Sequence, residues 1–220
     1  MTIHGAAGCW HNFHNQIRSF SATHRVVAPD LRGHGLSPWP GPSSIQDFVD
    51  DLKWLVEAEI PGEFSIFSHS FGGCLATHLT VQLEHRVNRL ALLNTGGHIP
   101  RGFVYRLLQL LCGKADTYRK VQPYAVACSS EVAQYLLYRT LKGWNCWEDF
   151  PRIQCPTLVV LGRKDVLIPV EYGIRLARVL PNPSVHILRS GHVSMWEDPH
   201  VLFDLLQRLM GSGAAAAQSA

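Results

Sequence analysis

Charge of one sign, paired metal-ligand cysteines and long hydrophobic runs are all missing from this 220-residue chain. Lys and Arg total 20 against 17 Asp and Glu, a formal charge of +3, and no block of like charge concentrates them. A nucleic-acid footprint needs a basic patch or stripe, so no nucleic-acid partner is expected. The six cysteines, Cys9, Cys74, Cys112, Cys128, Cys146 and Cys155, lack the paired spacing of a zinc site. Without a secretory leader ahead of them a disulfide framework is not expected either, and they read as reduced, mostly buried thiols. No apolar run approaches the roughly 20 residues that span a bilayer, so no transmembrane segment is expected. Together with the absent leader this makes the cytoplasm the expected compartment.

What is present is a chain long enough for one sizeable core, with 46% hydrophobic and 17% charged residues, a globular composition. Short apolar runs alternate with stretches of helical period, which argues an α/β fold with a mostly parallel sheet of about six strands flanked by helices. The strands are expected at 1–4, 25–28, 64–68, 89–93, 157–161 and 184–188. Helices are expected at about 9–20, 45–58, 71–83, 170–180 and 200–210. From 96 to 151 the alternation stops, and two amphipathic stretches, 103–111 and 133–138, read as a helical insertion. The expected organisation is a core of 1–95 and 152–210, a cap of 96–151 over the strand ends, and a disordered, low-complexity tail of 211–220. A peripheral helical layer away from any substrate is the alternative for 96–151.

Ser68-His69-Ser70-Phe71-Gly72 follows one expected strand and opens one expected helix. Small residues two before and two after a serine are what a nucleophile elbow needs, because the chain turns sharply there; an ordinary tight turn is the plain alternative. A serine hydroxyl is a weak nucleophile at neutral pH and needs a base oriented by an acid. Asp165 follows the run Thr157–Leu161 and His192 follows Ser184–Leu188, so Ser70, Asp165 and His192 come in the order Ser, Asp, His, each after its own strand. Taken singly, Asp165 also reads as a turn or capping residue and His192 as a loop histidine. The backbone N–H groups of Phe71 and of Ala6, in His4-Gly5-Ala6-Ala7-Gly8, are the candidate donors for a developing oxyanion. That segment also reads as a glycine turn.

His4–Trp10, Asp30–Ser37 with its Asp-Leu-Arg-Gly-His-Gly-Leu-Ser, Ser68–Gly73, Gly162–Asp165 and Gly191–Pro199 resemble, in order, the motifs of the α/β-hydrolase superfamily. The resemblance is to the branch of esterases, lipases and carbon–carbon bond hydrolases that use serine. It implies a lipase-like fold with a catalytic triad and oxyanion hole, Asp30, Arg32 and His34 as scaffold, and His69 in a packing role. It also implies two further strands before His4 that this chain lacks, leaving the strand that ends near Pro29 as an exposed edge.

The expected function is a serine hydrolase that cleaves a carboxylic ester, thioester or lipid-like substrate through an acyl-enzyme. Its partner is a small apolar molecule, and no metal or organic cofactor is needed. A carbon–carbon bond hydrolase is one alternative. A non-catalytic binding protein on the same fold, or an inactive short form, is another.

Overall fold

Five short strands pair side by side into one parallel sheet in the order β1-β2-β3-β4-β5. They are β1 (Thr2–Ile3), β2 (Phe64–His69), β3 (Val87–Leu93), β4 (Thr157–Gly162) and β5 (Pro183–Leu188). The computed structural model describes residues 1–83, 85–99 and 102–211, with Val104 described by its backbone alone. Ser68 pairs with Leu92, Leu93 with Val160 and Gly162 with Leu188, so the carboxyl ends of the strands lie along one edge. Side chains alternate between the two faces, as period two requires. Ile66, Leu90, Leu92, Val159 and Leu161 join one hydrophobic cluster, and Phe67, Ala91, Leu93, Leu158 and Val160 join the other.

The stretch expected as a strand at 25–28 lies beside β1, where the Thr2 N–H donates to the Val27 carbonyl at 2.9 Å, but it forms no strand. With only two residues, β1 offers too few peptide groups on that side for a ladder. The helix expected at 9–20 is also split, into a 3₁₀ turn at Trp10–Phe13 and α1 (His14–Phe20).

Helices cover both faces of the sheet. α2 (Ile45–Glu59) starts at Ser44, whose hydroxyl caps the Asp47 N–H, and turns Phe48, Val49, Leu52 and Val56 inward at helical spacing. It packs with α3 (Phe71–Gln82) and α7 (Val170–Val179) over one face. α3 is buried on almost every side, from Phe71 to Thr80, and so runs through the middle of the molecule. On the other face α1 packs with the short α8 (Ser194–Glu197) and with α9 (Pro199–Gly211), around Phe13, Phe20, Leu202 and Leu206. Gly211, expected in the tail, ends α9; the rest of that expected tail lies outside the described residues.

Between β3 and β4 come α4 (Phe103–Gly113), α5 (Ala115–Val121) and α6 (Ser130–Tyr135), which continues into a π-helical turn, Leu136–Thr140. This region is fastened to the rest at several points, among them Tyr124, Ala127, Thr140, Trp144 and Asp149. The Ala127 N–H donates to the Ala7 carbonyl at 2.6 Å, the Gly35 N–H to the Ala127 carbonyl at 2.9 Å, and the Thr140 hydroxyl to the Ser43 carbonyl at 2.8 Å. All six cysteines are free. No helix among the described residues is long and apolar enough to cross a membrane.

Candidate active site

Ser70 stands at the end of β2 with φ 49° and ψ −116°, a backbone conformation that L-residues avoid. The turn fits because Gly72 has no side chain: a Cβ there would overlap the carbonyl oxygens of Ile3 and His4. The Ser70 N–H donates to the Leu93 carbonyl at 2.9 Å, and the Thr95 hydroxyl donates to the Ser70 carbonyl at 2.8 Å. Ser68, where the elbow pattern favours glycine, is fully buried, and its hydroxyl donates to the Ala91 carbonyl at 2.7 Å. A side chain is tolerated there because β3 supplies its partner.

His192 reaches both other members of the Ser, Asp, His series. Its Nδ1 is 2.8 Å from Asp165 Oδ2 and its Nε2 is 3.0 Å from Ser70 Oγ. A carboxylate only accepts, so Nδ1 carries the proton and Nε2 accepts the serine hydroxyl. Asp165 Oδ1 accepts the N–H groups of Leu167 and Ile168 at 2.8 and 2.9 Å. The turn reading and the histidine-partner reading of Asp165 therefore describe one carboxylate, one oxygen each. Burial alone would push this carboxyl upward, but the hydrogen bond and charge of His192, with the Ile168 N–H and the Asn94 amide, hold it below its ordinary value.

The loop carrying His192 is held from both sides. The peptide N–H groups of Gly191 and Val193 both donate to the Glu197 carboxylate, at 2.7 and 3.3 Å. The Nε2–H of His69 donates to the His192 carbonyl at 2.7 Å. Burial and the neighbouring His192 lower His69 to about 3, so its ring is neutral and acts as a strut.

The loop after β1 is pinned residue by residue. His4 Nε2 accepts the Leu31 N–H at 2.9 Å while its Nδ1 faces the Gly5 carbonyl. Ala7, in the left-handed region at φ 70°, donates its N–H to His34 Nε2 at 3.2 Å. His34 Nδ1–H donates to the Arg32 carbonyl, Arg32 makes a two-pronged pair with Asp51, and Asp30 accepts the N–H groups of Trp10 and Leu36. Asp30, Arg32 and His34 thus brace the loop and stand outside the Ser70–His192–Asp165 chain. Burial pushes His4 down to about 3 and His34 to about 4, so both stay neutral acceptors at neutral pH. Ala6 is left exposed between these anchors. Phe71, as the first residue of α3, has an N–H with no acceptor inside the helix.

Ala6, Ser70, Phe71 and His192 line one cavity of about 500 Å³, and Asp165 lies behind it. Leu108, Leu111, Leu136, Leu137 and Trp144 from the β3–β4 insertion form much of the opposite wall. Among the described residues no Lys, Arg, Asp or Glu lines this space. A hydroxyl hydrogen-bonded to an imidazole, itself hydrogen-bonded to a carboxylate, can deliver an alkoxide-like nucleophile and return the proton to a leaving group. Asn94, Thr95, Glu197 and His34 were not expected as contacts of the site. Of these, Glu197 had the clearest sequence signal, since it lies within the same short segment, Gly191–Pro199, that carries His192.

Comparison with known proteins agrees with this architecture. A family model described as the alpha/beta hydrolase family matches residues 2–205. The chain is similar to Lipase LipV of Mycobacterium tuberculosis, 35% identical over 97 residues, which are 43% of this chain and 36% of the lipase; it spans little more than a third of that relative. It is also similar to the 2-hydroxy-6-oxononadienedioate/2-hydroxy-6-oxononatrienedioate hydrolase of Burkholderia vietnamiensis, 26% identical over 227 residues, which are 88% of this chain and 78% of that protein. Among solved structures, the enol-lactonase from Burkholderia xenovorans LB400 superimposes with a TM-score of 0.83 at 21% identity, over 95% of this chain and 89% of that one.

Proposed function

Since the chain belongs to the alpha/beta hydrolase family, we propose that it is a serine hydrolase that cleaves carboxylic esters or thioesters of small apolar acids through an acyl-enzyme. Ser70 Oγ attacks the carbonyl carbon while His192 Nε2 takes its proton, and Asp165 Oδ2 holds the Nδ1–H and balances the imidazolium. The oxyanion that forms is bound by the N–H groups of Phe71 and Ala6. When the tetrahedral species collapses, the carbon–oxygen or carbon–sulfur bond breaks and His192 protonates the departing alcohol or thiol. Water then gives a proton to His192 and attacks the acyl carbon, and the acid leaves as Ser70 regains its proton. Residues 96–151 act as the cap that keeps the acyl chain out of water.

The observation that carries this reading is the unbroken hydrogen-bond chain from Ser70 Oγ through His192 to Asp165, at 3.0 and 2.8 Å, opening on an apolar cavity. A second reading, hydrolysis of a carbon–carbon bond beside a carbonyl, is favoured by the likeness to the Burkholderia vietnamiensis hydrolase. The name of that relative specifies dioates, whereas no Lys or Arg among the described residues lines this cavity to meet a carboxylate.

Labelling with a fluorophosphonate, followed by peptide mapping, tests the proposal. Label on Ser70, its loss in Ser70→Ala, and turnover of p-nitrophenyl esters reduced by at least about 10³-fold in that variant are expected. A folded protein that neither labels nor turns over esters would overturn it. Product analysis of diketones beside esters separates the second reading.

A further inference from the structure

We propose that Asn94 is the positioning residue that sets the acid and the base in register, an inference that rests on the serine-hydrolase reading above. Asn94 is the first residue after β3, fully buried, and held at φ 48°, a left-handed conformation that asparagine tolerates better than most residues. Its Nδ2 carries two hydrogens and both are used. One goes to Asp165 Oδ2 at 3.0 Å, the other to the Gly191 carbonyl at 3.0 Å, and Oδ1 accepts the Ser194 hydroxyl at 2.7 Å.

This pattern fixes the orientation of the amide. A flip would set Oδ1 against a carboxylate oxygen and a carbonyl oxygen, neither of which can donate. The oxygen Asn94 grips is the one that accepts His192 Nδ1–H, and the carbonyl it grips belongs to the residue before His192. One neutral side chain therefore sets the separation between the Asp165 carboxylate and the backbone that carries the imidazole. Asp165 Oδ1 is already fixed by two N–H groups, so Oδ2 is the oxygen that still needs a second donor.

The neighbours of Asn94 extend the same function to the nucleophile. Leu93 accepts the Ser70 N–H, Thr95 donates to the Ser70 carbonyl, and Asn94 donates its own N–H to the Val160 carbonyl at 2.8 Å. Residues 93–95 thus join all three arms of the site at the centre of the sheet. Near-isosteric replacements lose this work: aspartate sets a like charge against Oδ2, and leucine leaves Oδ2, the Gly191 carbonyl and the Ser194 hydroxyl each one partner short. Asn94 does not line the cavity among the described residues, so it acts through Asp165 and His192 and not on substrate.

The test uses the full chain with three variants, Asn94→Ala, Asn94→Asp and Ser194→Ala. The first readout is independent of turnover: the downfield proton resonance of His192 Nδ1–H, assigned by its loss in His192→Gln. It is expected to shift or broaden in Asn94→Ala and, more weakly, in Ser194→Ala, which frees the far side of the amide. The second is kinetics on a neutral p-nitrophenyl ester. Asn94→Ala is expected to lower kcat by about 10–100-fold with KM within about twofold, the cost of a misplaced catalytic group. Asn94→Asp is expected to move the acid limb of the rate profile upward by about one pH unit, because an added carboxylate favours the imidazolium. An unchanged Nδ1–H resonance in Asn94→Ala, or kcat within twofold of the parent, overturns the proposal. If Asn94→Ala does not fold, an unchanged Nδ1–H resonance in Ser194→Ala together with an unmoved acid limb in Asn94→Asp overturns the proposal. If the parent neither labels nor hydrolyses esters, the hydrolase reading fails, while the resonance still decides whether Asn94 holds the pair.

Discussion

The edge of the sheet that carries Ser70, Asp165 and His192 and the insertion that faces it across the cavity are built on different principles. At the sheet edge nearly every polar group has a named partner. Asp165 alone has four donors, the Gly191 and Val193 N–H groups share Glu197, and the loop after β1 is tied through His4 and His34. The insertion is tied to the core by directional bonds at Tyr124, Ala127, Thr140, Trp144 and Asp149, whereas α4 and α5 pack through Leu, Val and aromatic side chains, several of them exposed, including Phe103, Leu110 and Val121. Directional bonds define positions to a few tenths of an ångström, whereas apolar contact defines only a volume. Under the proposed function, the region that aligns a proton and a nucleophile uses the first, and the helices that receive an apolar chain use the second.

One substitution made in both regions tests that contrast most severely. A Cβ on Gly72 would overlap the carbonyl oxygens of Ile3 and His4, and backbone cannot step aside as a side chain can. Gly72→Ala is expected to cost more than about 4 kcal/mol or to prevent folding. Gly113, at the end of α4, would meet nothing closer than Gln134 Nε2 at 3.4 Å. Gly113→Ala is expected to be neutral or to stabilise by up to about 1 kcal/mol, through the narrower unfolded ensemble. Urea unfolding of the two variants beside the parent measures both, and equal costs would erase the distinction.

What could be read from the sequence divides along the same line. Ser70, Asp165 and His192 were legible because each follows its own apolar strand within a short motif, and the parallel sheet brings strand ends together. Asn94 was not legible. Its bonds reach 71, 97 and 100 residues ahead, and a single asparagine after a strand has no local signature. The stretch at 25–28 had the right composition for a strand, but a strand is a relation between two segments, and two-residue β1 supplies too little of the other. In the insertion the helical period located 103–111 and 133–138, the latter straddling the junction of α6 and the π-helical turn, but not α5, since amphipathic spacing marks an apolar face and not where one helix ends and the next begins.

Acid should loosen the hydrogen-bonded region before the apolar one. His4, His34 and His69 are neutral in the folded chain, with burial lowering them to about 3, 4 and 3 from the ordinary 6.5. The unfolded chain therefore binds more protons between about pH 6.5 and 4, and stability rises with pH across that window. Each histidine contributes a slope of up to about 1.4 kcal/mol per pH unit, nearly gone above pH 7. Asp165 has the same sign at lower pH: its carboxyl is held below the ordinary 3.8, so it adds stability above that value and loses it only as pH falls further, below this window. Urea unfolding at pH 7.5, 6 and 5 is expected to show a progressive loss, and His34→Gln to lower the slope by about one proton. A flat profile would mean that the imidazoles at the sheet edge are not held neutral.

The smallest effect is expected where the wall is apolar and partly open. Leu111 on α4 lines the cavity yet keeps 38% of its surface exposed, and it makes no hydrogen bond through its side chain. Leu111→Ala removes contact area from one side of an acyl chain without disturbing Ser70, His192 or Asp165. Because the lost contact is the same in the bound ester and in the transition state, it should appear in KM and leave kcat alone. For a long acyl ester KM should rise by about three- to tenfold, the scale of one or two methylenes of partly exposed apolar contact. For an acetyl ester, too short to reach α4, neither constant should move by more than about twofold. A fall in kcat on the acetyl ester would show that the insertion shapes the chemistry itself, and the separation between an aligning edge and a receiving wall would no longer hold.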